Sequence, residues 1–347
     1  MDGVWSAEDT TPSAIEAAVR GLLAERHKDE MLVPARVLNL IAVVDKEWRG
    51  EIENRLERVG RYHPSRTVVC AVEPGRTKLD AWATLVTQGE LAGAGALTHE
   101  RIELTVGERH LPFLGTICDP IVVSDIATLV WAPHGHPEAV DSLLGLAQVV
   151  LVDSVEEDDD VAALHRATEL AEHAYVVDLA WLRSTPWRER VSSTFDPPAL
   201  RPLLGELSRV EVRHGPASGV AALLLVGWLA SRLGWQPAAL VRQDGALHGR
   251  LRARRQEVTV DLRPERLDVP GLAGVTIQTA SGESFSLDRG PGGLTARRRD
   301  REGREASWRV LGASRGEAGI LGEGVRQALL RDPTYKPALA AAQVMAG

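Results

Sequence analysis

Cysteine and lysine are scarce in this chain, and a glycine-rich phosphate loop is missing; each shortage narrows what the chain can be. The two cysteines, Cys70 and Cys118, each lie among apolar neighbours. A disulfide scaffold is not expected in a chain of 347 residues, and buried, unreactive thiols are. Lys28, Lys46, Lys78 and Lys336 are the only lysines among 40 basic residues, and the formal net charge is −8. A general nucleic-acid binder needs a basic domain, so that class is not expected. The longest apolar run, "GVAALLLVGWLA" (219–230), falls short of the roughly 20 residues that span a bilayer, and reads as a buried helix ended by Gly234. The opening "MDGVWSAEDTT" is acidic and has no apolar signal segment. The expected setting is cytoplasmic, with no membrane partner.

No G-x-G-x-x-G joins a strand to a helix, and no Walker A sequence occurs. "GELAGAGAL" (89–97) has glycines at the wrong spacing and no strand immediately before it, so neither a bound dinucleotide nor another cofactor is expected. "GASRG" (312–316) matches the G-x-S-x-G of a nucleophile elbow. That elbow sits on a parallel sheet with its histidine later in the chain. Here the preceding strands look antiparallel and no histidine follows His248, so a turn is the expected structure. His134 and His136, in "PHGHPE" with Glu138 nearby, lack the second histidine pair or the cysteines of a zinc site. They are expected in a loop, with no metal.

What is present is an ordinary globular composition, 44% hydrophobic and 25% charged, long enough for two domains. Thr11-Pro12 opens a capped helix with Ile15, Ala18, Val19, Leu22 and Leu23 at helical spacing. The run "VLNLIAVVD" (37–45) is apolar on both faces, as in a parallel sheet covered by helices. Asp45 can cap the next helix, in which Trp48, Ile52, Leu56 and Val59 form one apolar stripe. The opposite face carries Glu47, Arg49, Glu51, Glu53, Arg55, Glu57 and Arg58, with many i,i+3 and i,i+4 pairs. Strands are expected at 67–72, 101–106, 126–131, 148–153, 174–179 and 209–213, and helices at 160–172 and 218–233. This alternation predicts an α/β fold with an open, mostly parallel, doubly wound sheet. Beyond residue 237 short alternating strands separated by "SGE", "RGPGG" and "REGRE" predict a smaller antiparallel β-rich domain with a helix at 318–331. The expected domains are therefore 1–237 and 238–347.

Asp45, Asp153 and Asp178 each close an apolar strand. The carboxyl edge of a doubly wound sheet is where ligands bind, while helix capping accounts for the same positions; both readings stand. "RRRDREGR" (297–304) mixes acids with arginine and reads as a solvated turn.

The segment "ARVLNLIAVVDKEWRGEIENRLERVGRYHPSRTVVCAVEPGRT" (35–77) resembles the signature block of the glucose-6-phosphate dehydrogenase assembly protein family (OpcA), of the actinobacterial type. The likeness continues, in order, through residues 5–25, 178–204, 219–235 and 329–339. It implies a protein without chemistry of its own, whose partner is glucose-6-phosphate dehydrogenase in the oxidative pentose phosphate pathway. It also implies a family domain split near 175–205. An activator of this kind binds the active oligomer better than the inactive form and shifts the population towards it. Interfaces draw most of their energy from a few aromatic and arginine residues. The contact candidates are accordingly Trp187 and Arg188 in "TPWR", Arg61, Tyr62, His63 and Arg66 in "GRYHPSR", and the helix-face arginines Arg49, Arg55 and Arg58. The alternative is an enzyme or sugar-phosphate binder using the sheet edge near Asp45, Asp153 and Asp178.

Overall fold

The structure is a computed structural model that describes residues 3–29, 36–60, 64–91, 95–290, 293–310 and 316–347. Two compact units emerge, one of Met1–Val152, His173–Val177 and Glu317–Arg331, the other of Asp153–Glu172, Asp178–Gly316 and Asp332–Gly347.

The strands of the first sheet are β1 (Val4–Ala7), β2 (Leu38–Asp45), β3 (Ser65–Val72), β4 (Asp80–Leu91), β5 (Gly95–Val106), β6 (Ala127–Trp131), β7 (Val149–Val152) and β8 (Tyr175–Asp178). Interleaved with or following them are α1 (Pro12–Asp29), α2 (Arg49–Gly60), α3 (Leu114–Cys118), α4 (Pro137–Leu143) and α5 (Asp160–His173). The sheet order is β1-β4-β5-β3-β2-β6-β7-β8. β5, β3, β2, β6 and β7 run parallel, and β4 and β1 add an antiparallel edge. Leu38 to Val44 are buried without interruption, because a parallel sheet with both faces covered leaves no residue of its central strand for water. Ile52 and Leu56 dock α2. Trp48 departs from the expected stripe. It lies in the 3-10 turn Lys46–Trp48, half exposed, since three residues per turn rotate it off the face set by the α-helical period. The side chain of Val59 lies outside the described residues, as do Arg61, Tyr62 and His63 and the serine of "GASRG". The β4–β5 hairpin, which carries the described part of "GELAGAGAL", has no counterpart in the expected strand set apart from 101–106.

The second sheet takes β9 (Leu207–His214), β10 (Val241–Gln243), β11 (Ala246–Arg252), β12 (Glu257–Pro264), β13 (Leu272–Thr279), β14 (Ser284–Gly290), β15 (Gly293–Arg299) and β16 (Glu305–Val310), in the order β10-β11-β12-β9-β13-β14-β15-β16. It is antiparallel except where β12 runs parallel to β9. β9 extends the run of strands alternating with helices, yet it sits in the middle of this second sheet. Its residues explain why. Val210 and Val212 are buried while Arg209, Glu211 and Arg213 are half exposed, the alternation of a sheet covered on one face. The remaining helices are α6 (Leu179–Arg183), α7 (Thr185–Thr194), α8 (Gly219–Leu233), α9 (Gly316–Leu330) and α10 (Tyr335–Ala346). α8, buried nearly throughout, packs so closely on α10 that a Cβ on Gly227 would stand 2.3 Å from the Ala338 carbonyl oxygen. Among the described residues no helix is long and apolar enough to cross a membrane. Cys70 and Cys118 are free and buried. The hydrogen bond between them, together with burial, pushes the Cys70 thiol pKa up.

Candidate functional site

The order of strands across the first sheet reverses at β2: β3 lies on one side and β6 on the other, both parallel to it. The crevice beyond the carboxyl ends of such strands is the ligand site of doubly wound sheets. Here its floor is made by the ends of β2, β3 and β6. β2 runs out at Asp45 into Lys46, Glu47, Trp48, Arg49 and Gly50, where a phosphate site would place a glycine cradle at a helix N-terminus. Asp45 makes no side-chain capping bond, contrary to the capping expectation. Its Oδ1 lies 3.0 Å from His136 Nε2. His134, Gly135 and His136 all have left-handed φ values of 68°, 114° and 63°, a tight turn after β6 that carries His136 towards Asp45. The His134 ring packs against Trp48 at 5.3 Å between centroids, tilted by 34°.

Glu73 directly follows β3, the strand after the crossover helix, where a dinucleotide site holds the ribose hydroxyls with an acid. Its carboxylate accepts from Lys46 Nζ at 2.7 Å and Arg76 Nη1 at 2.8 Å, and those bonds hold its pKa below the ordinary glutamate value. The charged groups at this strand edge are thus paired with one another while remaining open to solvent. Sequence reasoning singled out Asp45 but not Lys46 or Glu73; the signal was available, as an acid at the end of the second parallel strand facing a lysine where glycine is the usual residue.

The other two strand-end acids are satisfied as well. Asp153 takes a two-pronged ion pair from Arg183, at 2.7 and 2.6 Å, with both side chains nearly buried. Asp178 is fully buried. It accepts from Ser154 Oγ (2.6 Å) and N (3.2 Å), Ala180 N (2.9 Å) and Tyr335 Oη (3.2 Å), and so caps α6. Desolvation raises its pKa to about 6, against the opposing hydrogen bonds. Among the described residues no three His, Cys, Asp or Glu side chains are grouped to hold a metal ion.

The contact candidates are placed unevenly. Trp187 and Arg188 are both buried, which withdraws them from the surface. Arg188 lies over the Trp181 ring at 3.3 Å, and donates to the Trp181 carbonyl at 2.6 Å and to Thr185 Oγ1 at 3.0 Å, tying α6 to α7. Arg66 is buried too, paired with Glu100 and donating to the Ile121 carbonyl at 2.6 Å. Arg49 joins a charge ladder between α2 and β5, 3.6 Å from Glu53 and 3.4 Å from Glu103, both of which also pair with Arg101. Arg55 pairs with Glu51 one turn back, and Arg58 is exposed.

Residues 56–169 match the family model of the glucose-6-phosphate dehydrogenase subunit N-terminal domain, and residues 174–339 match that of its C-terminal domain. A curated OpcA protein of the OxPP cycle from Synechocystis sp. is 26% identical over 183 residues, covering 51% of this chain and 38% of that relative. Its counterpart from Nostoc punctiforme is 29% identical over 150 residues, 42% of this chain and 32% of the relative. The matches therefore span well under half of each relative's length. Among solved structures, the super-repressor mutant of Gal80p from Saccharomyces cerevisiae aligns with a TM-score of 0.50 at 9% identity, over 89% of this chain and 94% of that one. An oxidoreductase from Sinorhizobium meliloti gives 0.49 at 11% identity, over 89% and 95%. At such identities the Gal80p likeness speaks to the fold alone.

Proposed function

Because the chain belongs to the glucose-6-phosphate dehydrogenase assembly (OpcA) family, we propose that it is a non-catalytic partner of that dehydrogenase in the oxidative pentose phosphate pathway. It binds the active oligomer in preference to less active forms, stabilises it and raises its turnover. The linkage is thermodynamic: the shift can be no larger than the difference in affinity for the two forms. What supports this reading is the strand edge itself, where the pairs Lys46–Glu73 and Asp45–His136 stand at the position of the glycine cradle and ribose-binding acid of a dinucleotide enzyme. The outer face of α2, with half-exposed Arg55 and exposed Arg58, is the candidate contact surface among the described residues; the buried Arg66, Trp187 and Arg188 support the fold behind any contact.

The test mixes the purified chain with the dehydrogenase of the same organism and records NADP reduction and oligomer mass with and without it. A larger assembly with faster reduction is expected. No change in either overturns the proposal, and a change of mass alone reduces the role to a structural subunit. Turnover or glucose 6-phosphate binding by the chain alone would transfer the function to the sheet edge near Asp45, Asp153 and Asp178.

A further inference from the structure

The second sheet has two unlike faces. One is apolar, with Val210, Val260, Val275, Ile277 and Leu287 all buried. The strand register sets the other. Across the centre of the sheet Asp261, Glu211, Thr276, Ser286, Arg297 and Ser307 lie side by side on one row. The flanking rows are as polar. One holds Arg209 beside Gln278 and Arg299 beside Glu305; the other holds Arg263 beside Arg213 and Thr295 beside Arg309. From β9 to β16 these rows contain no large apolar side chain, and the Arg213 guanidinium lies across Gly274.

The charges on this face do not cancel. The interior carboxylates are already taken. Asp261 pairs with Arg209 at 2.7 Å and with His248 at 2.6 Å, and Asp288 pairs with Arg213 and, at 3.4 Å, with Arg297. Arg263, Arg299 and Arg309 are left exposed, with no side-chain ion pair among the described residues. On this face of a chain with a net charge of −8, these three arginines stand against one exposed acid that likewise has no ion pair among the described residues, Glu305. β12 and β16, which carry the outermost of these arginines, are five strand steps apart, about 24 Å at ~4.8 Å per step. With strands of six to eight residues, the face has the order of size of one side of a standard interface, ~800 Å².

We infer that this open face of the second sheet docks an acidic surface of a partner protein, and, resting on the function proposed above, that the partner is the dehydrogenase. A second copy of the chain is disfavoured as occupant, because it would set the same surplus of arginine against itself. Nucleic acid is disfavoured because Glu211, Asp261 and Asp288 stand among the arginines and oppose a phosphate backbone, whereas a protein surface can match mixed charge. The paired arginines are held in place by their carboxylates, and the three unpaired ones accept the partner's acids.

The test uses the full chain carrying Arg263→Glu, Arg299→Glu and Arg309→Glu together, titrated into the dehydrogenase at low and high salt. A second variant with glutamine at the same three positions keeps their length without reversing charge. At low salt the glutamate variant is expected to bind at least about tenfold more weakly, the glutamine variant to fall between it and the wild type, and the difference to shrink as salt rises. Arg20→Glu, at an exposed arginine of α1, serves as the comparison and is expected to keep wild-type affinity. If the wild type binds and both triple variants bind equally well, this face is not the dock while the proposed function survives. If the wild type does not bind the dehydrogenase, both fall. An equal loss of binding on reversing Arg20 alone, a homodimer dissolved by the triple variant, or tighter binding to duplex DNA than to the dehydrogenase would each overturn the inference.

Discussion

Both sheets have eight strands, but they meet different surroundings. In β2 seven consecutive residues are buried; in β9, at the centre of the other sheet, buried valines alternate with half-exposed arginine and glutamate. A strand covered on both faces has little room for charge along its length, so Asp45, Asp153 and Asp178 stand where β2, β7 and β8 end, while β5 carries Glu100 and Glu103 only as partners of Arg66, Arg49 and Arg101. Each of the three strand-end acids is already matched by the chain's own donors. A strand covered on one face carries charge along its length, and the arginines of the second sheet outnumber the acids available to them. The strand-end acids of the first sheet are paired within the chain, while the second sheet keeps exposed arginines without an ion pair among the described residues.

The comparison can be broken by mutation. The largest expected effect is Ile41→Ala in β2. Ile41 is fully buried, and its truncation should cost about 2–5 kcal/mol by chemical denaturation. A loss below 1 kcal/mol, on the order of a surface change, would mean that the first sheet is not sealed on both faces.

Next comes the buried strand-end acid. The folded-state pKa of Asp178, near 6, lies above its ordinary 3.8. Between those values the folded protein holds a proton that the unfolded chain has released, so stability falls as pH rises through this window and is level above it. The drop is on the order of 2–3 kcal/mol at most. Asp178→Asn should flatten the denaturation midpoint across the same range; an unchanged pH profile would show that Asp178 is not the titrating group.

The smallest effect is expected from Gln278→Ala on the open face. Gln278 is exposed, and the change should stay within about 0.5 kcal/mol. A larger loss would show that this face is covered and would sharpen the contrast in the opposite direction.

Much of the architecture was legible in the residues. The uninterrupted apolar run of β2 announced a parallel sheet, the long apolar segment of α8 announced a buried helix, and the Gly-rich turns after residue 237 announced a meander. The β4–β5 hairpin escaped because its glycines resembled a failed phosphate loop and its alternation was recognised only in 101–106. β9 was placed by the rhythm of neighbouring elements although its own alternation pointed to the other sheet. The contact candidates suffered from a general ambiguity: tryptophan and arginine suit an interface and suit a stacked, hydrogen-bonded interior equally well. Arg188 over Trp181 is the interior case.

The sequence alone determined the class of fold, the missing glycine cradle, the excess of arginine over lysine and the family likeness, because these depend on local pattern and composition. Only the tertiary structure decided which charges are spent. His136 reaches Asp45 across 91 residues, Lys46 reaches Glu73 across 27, and Arg263 reaches no carboxylate among the described residues. Electrostatic pairing depends on a few ångströms of distance in space, and that distance is set by how strands lie beside one another, which no local stretch of the chain encodes.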